Sequence, residues 1–152
     1  MIFGIKQLRF QERKWLHIVL WKLVTSSGWV TKLEQSSFHD AMQYVRKSEM
    51  ELIIDEFEKM GGEFPYLPER GINADKAGVI LFEIMRVAAI NGELTLGEMN
   101  IIEAAARALG FDEEFIEKVL KITAEKAHAN RAQMNLLKNL KDHFTQRNTV
   151  QA

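Results

Sequence analysis

Both prolines of the chain, Pro65 and Pro68, fall in one stretch, "GGEFPYLPERGIN" (residues 61–73), together with three of its nine glycines. Proline lacks a backbone donor and clashes with the preceding turn, so a helix cannot run through such a stretch. On either side of it the apolar residues recur three and four positions apart, and no segment shows the β-branched alternation of a strand. The pattern predicts an all-α chain, with about seven helices near 10–26, 32–46, 49–60, 74–90, 96–109, 113–129 and 132–146, and a linker over 61–73. At 152 residues it is the size of a single compact domain that buries its own core.

Local signals place the helix ends. Asn73 and Asp112 can each accept a bond from a free N–H in the turn that follows. Gly110 suits a left-handed helix terminator. The segment "AGVILFEIMRVAAI" (77–90) is apolar almost all round except for Glu83 and Arg86, which predicts a central, buried helix. Gly78 would let a neighbour approach it closely.

The two halves of the chain align at an offset of 64 residues, so that "LHIVLWKLVTSSGWVTKLE" (16–34) faces "ILFEIMRVAAINGELTLGE" (80–98). Gly28 then meets Gly92, Thr31 meets Thr95 and Glu34 meets Glu98. Leu16, Ile18, Leu20, Trp21, Leu23 and Val30 all meet apolar residues, and Trp21, falling on the core position Met85, is expected to be internal. A shift of one residue continues the match, with Leu52, Ile53 and Phe57 on Phe115, Ile116 and Leu120. The expected organisation is two similar three-helix units, about 10–60 and 74–129, packed face to face. A C-terminal helix after Asn130 has no counterpart in the first half.

Charge is unevenly spread although the net value is only −1. Residues 1–48 carry +5, 49–117 carry −11 and 118–152 carry +5. Either the basic ends fold back on the acidic middle, or the acidic middle is an exposed face for cations or a basic partner. Without cysteine, disulfides, thiolate metal sites and cysteine nucleophiles are excluded. The longest run free of Asp, Glu, Lys and Arg is Leu23 to Thr31, so neither a signal peptide nor a membrane span is expected, and a cytoplasmic location fits.

The stretch "VAAINGELTLGE" (87–98) has the glycine and closing glutamate of a twelve-position calcium loop at Gly92 and Glu98. Positions one and three, however, would be Val87 and Ala89, leaving only Asn91 among the leading oxygen donors. A second reading accounts for every residue. Asn91-Gly92 suits a left-handed exit from a helix, and Thr95-x-x-Glu98 forms a capping box. Leu94 and Met99 can add the hydrophobic staple, and Thr31-x-x-Glu34, after Gly28, repeats the box.

Residues 88–98, "AAINGELTLGE", followed by "IIEAAARALGFDEEFIEKV", resemble the tellurite-resistance TerB-like family, which includes a region of the co-chaperone DjlA. Members show a pattern of the type A-x-x-D-G-x-[ILV]-[ST]-x-x-E, then an alanine-rich helix ending in Leu-Gly and an acidic helix start. The match covers about residues 77–122. It implies a duplicated helical fold and a non-enzymatic, cytoplasmic bacterial domain tied to tellurite resistance or general stress response. It also implies an acidic face proposed to bind divalent cations, calcium or magnesium, or protein partners. That face would involve Glu93 and Glu98, with Glu34 from the first half. Asn91 and Ser27 stand where the family has aspartate.

Other chemistry is sparse. His17, His39, His128 and His143 are scattered, with no His-Glu-x-x-His helix. There is no Gly-x-x-x-x-Gly-Lys phosphate loop and no Gly-x-Ser-x-Gly elbow, so an enzyme would need a site assembled by the fold alone. Glu49, Glu51 and Asp55, then Glu113, Glu114 and Glu117, open the third helix of each half, either complementing helix dipoles or forming an acidic face for a basic protein partner. The lead "MIFGIKQLRF", with Trp15, Trp21 and Trp29 near Arg9, Arg13, Lys14 and Lys22, could touch an anionic membrane. Nucleic acid is disfavoured, since no aromatic residues accompany Lys118, Lys121, Lys126, Arg131, Lys138 and Lys141 for stacking.

Overall fold

The computed structural model describes residues 4–26, 31–33, 35, 36, 40, 47–60 and 72–150. Among them every regular element is helical: a 3-10 turn over Ile5–Gln7, then α1 (Phe10–Thr25), α2 (Lys47–Met60), α3 (Ala74–Ala89), α4 (Leu96–Ala108) and α5 (Glu113–Val150). Residues 32, 33, 35, 36 and 40 are also helical. The linker 61–71, together with Gly28, Glu34 and His39, lies outside the described residues.

Capping chemistry sets the ends. The Arg9 N–H donates to Glu12 Oε1 at 2.8 Å at the start of α1. Asn73 Oδ1 accepts from the Lys76 N–H at 2.9 Å, and Asp112 Oδ1 from the Phe115 N–H at 2.9 Å. Gly110 has φ +93° and closes α4 with its N–H on Arg107 O, while the Phe111 N–H reaches back to Ala106 O. This is the left-handed exit that only glycine adopts cheaply.

Two helices form the centre. All six residues from Trp15 to Leu20 are buried, and a helix buried at consecutive positions is covered on all sides. α3 buries Ile80, Leu81, Ile84, Met85, Val87, Ala88 and Ala89. α1 and α3 lie parallel: Lys76 at the start of α3 pairs with Glu12 near the start of α1 at 3.1 Å. Beyond their far ends, the Thr31 hydroxyl donates to Asn91 Oδ1 at 2.8 Å. Their bounds fall 64 residues apart at both ends, and each is 16 residues long. α2 packs on α1, while α4 and α5 close over α3. Ile102, Ala105, Ala106, Ile116 and Val119 complete the core.

Four expectations are corrected. Helices 113–129 and 132–146 are one continuous helix, because "HANRAQM" holds no glycine or proline. Asn130, expected at the break, instead donates from Nδ2 to Ala89 O at 3.0 Å. Trp21, aligned with the buried Met85, is 37% exposed and meets Phe57 edge-on at 6.4 Å. Gly78 has no atom of the described residues within 4 Å of where a side chain would stand, so none of them makes the close approach expected there. Among the described residues the first basic end folds onto acidic residues of the middle, through Lys14–Glu56 at 2.9 Å and Arg13–Glu49 at 3.8 Å, and the second shows no such pair beyond its own helix. In the second, every residue from Arg131 to Arg147 is exposed.

Candidate functional site

The corner between α3 and α4 is built by its own side chains. Glu98 is buried at 6% exposure. Its Oε1 accepts from the Thr95 N–H at 3.2 Å and from the Thr95 hydroxyl at 2.9 Å, while the Glu98 N–H donates to Thr95 Oγ1 at 3.2 Å. Three backbone or hydroxyl donors at the helix start are thereby satisfied, and the carboxylate sits where the dipole favours it. Asn91 gives its Oδ1 to Thr31, and Gly97 lies against Ser26. The segments that follow α1 and α3 therefore touch each other.

Gly92 carries φ +76° and is packed under α5. A Cβ there would stand 2.8 Å from Arg131 Cβ and 2.9 Å from Arg131 Cα. With the Asn130–Ala89 bond alongside, the corner is the seat on which the middle of α5 rests. Its glycine serves both the turn and the close approach.

Of the residues considered as ion ligands, Glu98 and Asn91 are thus engaged within the corner, Glu93 is exposed and Glu34 lies outside the described residues. Among the described residues no group of three or more His, Asp or Glu side chains is arranged to hold a metal ion.

The acidic faces are two separate surfaces. On α2, Glu51, Asp55 and Glu58 are exposed beside the exposed apolar side chains Leu52 and Ile54; Glu49 is half-buried beside Arg13. At the start of α5, Glu113 takes two bonds from Arg107, at 2.8 and 3.1 Å. That guanidinium lowers the Glu113 pKa. Glu114 lies 3.6 Å from Lys118, and Glu117 is exposed.

Two charged clusters lie against the central helices. Glu12 is fully buried. Burial opposes its ionisation, but the Arg9 N–H, the Lys76 ammonium at 3.1 Å and the Arg9 guanidinium at 3.4 Å outweigh it and hold the carboxyl below its ordinary pKa. Its Oε2 has no hydrogen-bond partner among the described residues. The second cluster is Arg86, hydrogen-bonded to Glu83 and close enough to Asp40 to feel its charge. The only warning in the sequence was a charged residue on an otherwise apolar helix face. Of the histidines, His17 is buried and donates from Nδ1 to Arg13 O, while His128 and His143 are exposed.

A groove of about 350 Å³ runs between α1, α2 and α4, lined by Lys22, Ser26, Phe57, Asn100, Ile101 and Ala104. Lys22 is its only titratable lining group among the described residues. The Thr25 hydroxyl, also in the lining, and that of Ser26 donate to Trp21 O and Leu23 O, each at 2.7 Å. No helix among the described residues is long and apolar enough to cross a membrane. Comparison with protein-family models, with curated proteins and with solved structures finds no match.

Proposed function

We propose that the chain is a non-enzymatic, TerB-like helical domain that works by surface recognition of a protein partner, in a bacterial stress or tellurite-resistance response. The observation that carries this is where its polar chemistry goes. Glu98, Thr95, Asn91 and Asn130 serve the corner's own hydrogen bonds, Glu12 and Lys76 join the two central helices, and what remains for function is surface. On α2, Leu52 and Ile54 flank an exposed stripe of Glu51, Asp55 and Glu58, so the face offers acidic contact with an apolar edge on each side. A basic amphipathic segment fits it by charge and by burial.

The family placement is supported by the residue pattern over 77–122, and the duplicated reading by the matching bounds of α1 and α3. Each half would then be a three-helix unit, the second completed by the start of α5.

The test is affinity capture from the source cell under native conditions, with wild type beside Leu52→Glu/Ile54→Glu. Both side chains are exposed, so the variant folds. A partner held by wild type and lost by the variant is the expected result. Equal recovery by both would place recognition elsewhere. Gene deletion followed by growth on tellurite tests the pathway separately, with sensitisation expected.

A further inference from the structure

We propose that the distal half of α5 is a membrane-surface element that seats on anionic lipid. Every residue from Arg131 to Arg147 is exposed, and the segment carries Arg131, Lys138, Lys141 and Arg147 against Asp142 alone. Within it Leu136, Leu137, Leu140 and Phe144 are 50–68% exposed. At about 100° per residue these four occupy an arc of roughly 100°, beside Met134, whose methyl lies against the α3–α4 corner at Gly92. Asn135, Lys138, Asn139, Asp142 and Gln146 occupy the opposite side. Leucines and a phenylalanine on one face with net positive charge are the composition of a helix lying in a headgroup layer.

The form of the face selects lipid over a protein helix. Arg147 falls within its span and Lys141 borders it, at positions a partner helix would have to match one by one. An anionic surface neutralises such cations collectively, and their long stems carry the charge back to the headgroups. A second copy of the same segment would set four cations against four. α5 is also polarised: Glu113, Glu114 and Glu117 open it, and roughly 20 Å separates Glu117 from Arg131 at 1.5 Å per residue. The distal end, with four cations against Asp142, is the one an anionic surface attracts. The N-terminal lead, the other candidate, commits Leu8 to the core, with Ile5 packed against it.

The experiment is co-sedimentation of the full chain with vesicles of phosphatidylcholine alone and of phosphatidylcholine mixed with phosphatidylglycerol. Binding is expected to the mixed vesicles only, weakening as salt rises. Lys138→Gln/Lys141→Gln should bind about thirty-fold more weakly, the loss for two charges at an anionic surface. Leu137→Asp/Leu140→Asp should not bind. Both variants should melt with wild type, since all four side chains are exposed. Three results would overturn the proposal. One is no binding to anionic vesicles, including the case where sedimentation velocity shows a dimer that Leu137→Asp/Leu140→Asp dissolves. Another is binding unaffected by either variant. The last is a marked fall in the melting temperature of the leucine variant, which would place this face inside the fold.

Discussion

Replacing Gly92 with alanine tests whether the α3–α4 corner is the seat of α5. Two costs combine there. The first is conformational: φ is +76°, and an L-residue in the left-handed region costs roughly 1–2 kcal/mol. The second is steric. The new Cβ would stand 2.9 Å from Arg131 Cα, a backbone atom that moves only if α5 moves, and overpacking of this kind costs about 1–3 kcal/mol. Gly110→Ala is the internal control, because φ there is +93° but no atom of the described residues lies within 4 Å of the added atom. Both variants also lose unfolded-state freedom by a similar amount, which cancels in the difference. Urea denaturation followed by far-ultraviolet circular dichroism should place Gly92→Ala about 1–3 kcal/mol below Gly110→Ala. Gly78→Ala, within a helix and with no atom of the described residues near the added one, should stabilise by about 0.5–1 kcal/mol. If Gly92→Ala costs no more than Gly110→Ala, α5 does not press on the corner and the packing argument fails.

Thr95→Ala should lose about 1 kcal/mol with the cap, and Glu98→Gln less, since an amide oxygen can still accept from the Thr95 N–H; paired thermal melts distinguish them. If the corner's oxygens serve the backbone, millimolar calcium or magnesium should leave both the wild-type and the Glu98→Gln melting temperatures unchanged, and a shift in wild type alone would revive an ion site. Asn130→Ala should cost about 1 kcal/mol for the bond to the Ala89 carbonyl. Lys76→Met should cost about 2–3 kcal/mol at neutral pH, near the low end for a broken buried pair because Arg9 remains. The sign with pH follows from Glu12. Its folded pKa lies below the ordinary 4.5, so its contribution is present above that value and is lost as pH falls through the depressed one. The gap between Lys76→Met and wild type should therefore narrow on acidification, as denaturation at several pH values would show.

Helix ends were legible because they are written locally. Asn73, Thr95, Asp112 and Gly110 announce their caps in the residues beside them, and the observed starts of α1, α3, α4 and α5 coincide with the expected ones. The continuity of α5 was not legible, because Asn130 resembles a stop until its tertiary partner, the Ala89 carbonyl, is known. Alignment of the halves matched helix bounds but not burial. Met85 lies on a helix that α4 and α5 close over, whereas Trp21 sits at the edge of α1 against Phe57. The Glu12–Lys76 pair joins positions 64 residues apart and carries no sequence signal. The acidic residues of α2 and α5 were visible in composition, yet their pairing with Arg13, Lys14 and Arg107 is a property of the fold.

The central claim, that this chain acts through its surface and not through an ion or a reaction at the α3–α4 corner, is tested most directly by one comparative capture experiment. Wild type, Glu98→Gln and Leu52→Glu/Ile54→Glu are presented in parallel to native lysate, each first shown to be folded by its melt. The account predicts that wild type and Glu98→Gln recover the same partner and that the α2 variant does not. Loss of the partner by Glu98→Gln, with the α2 variant retaining it, would contradict the account and return function to the corner.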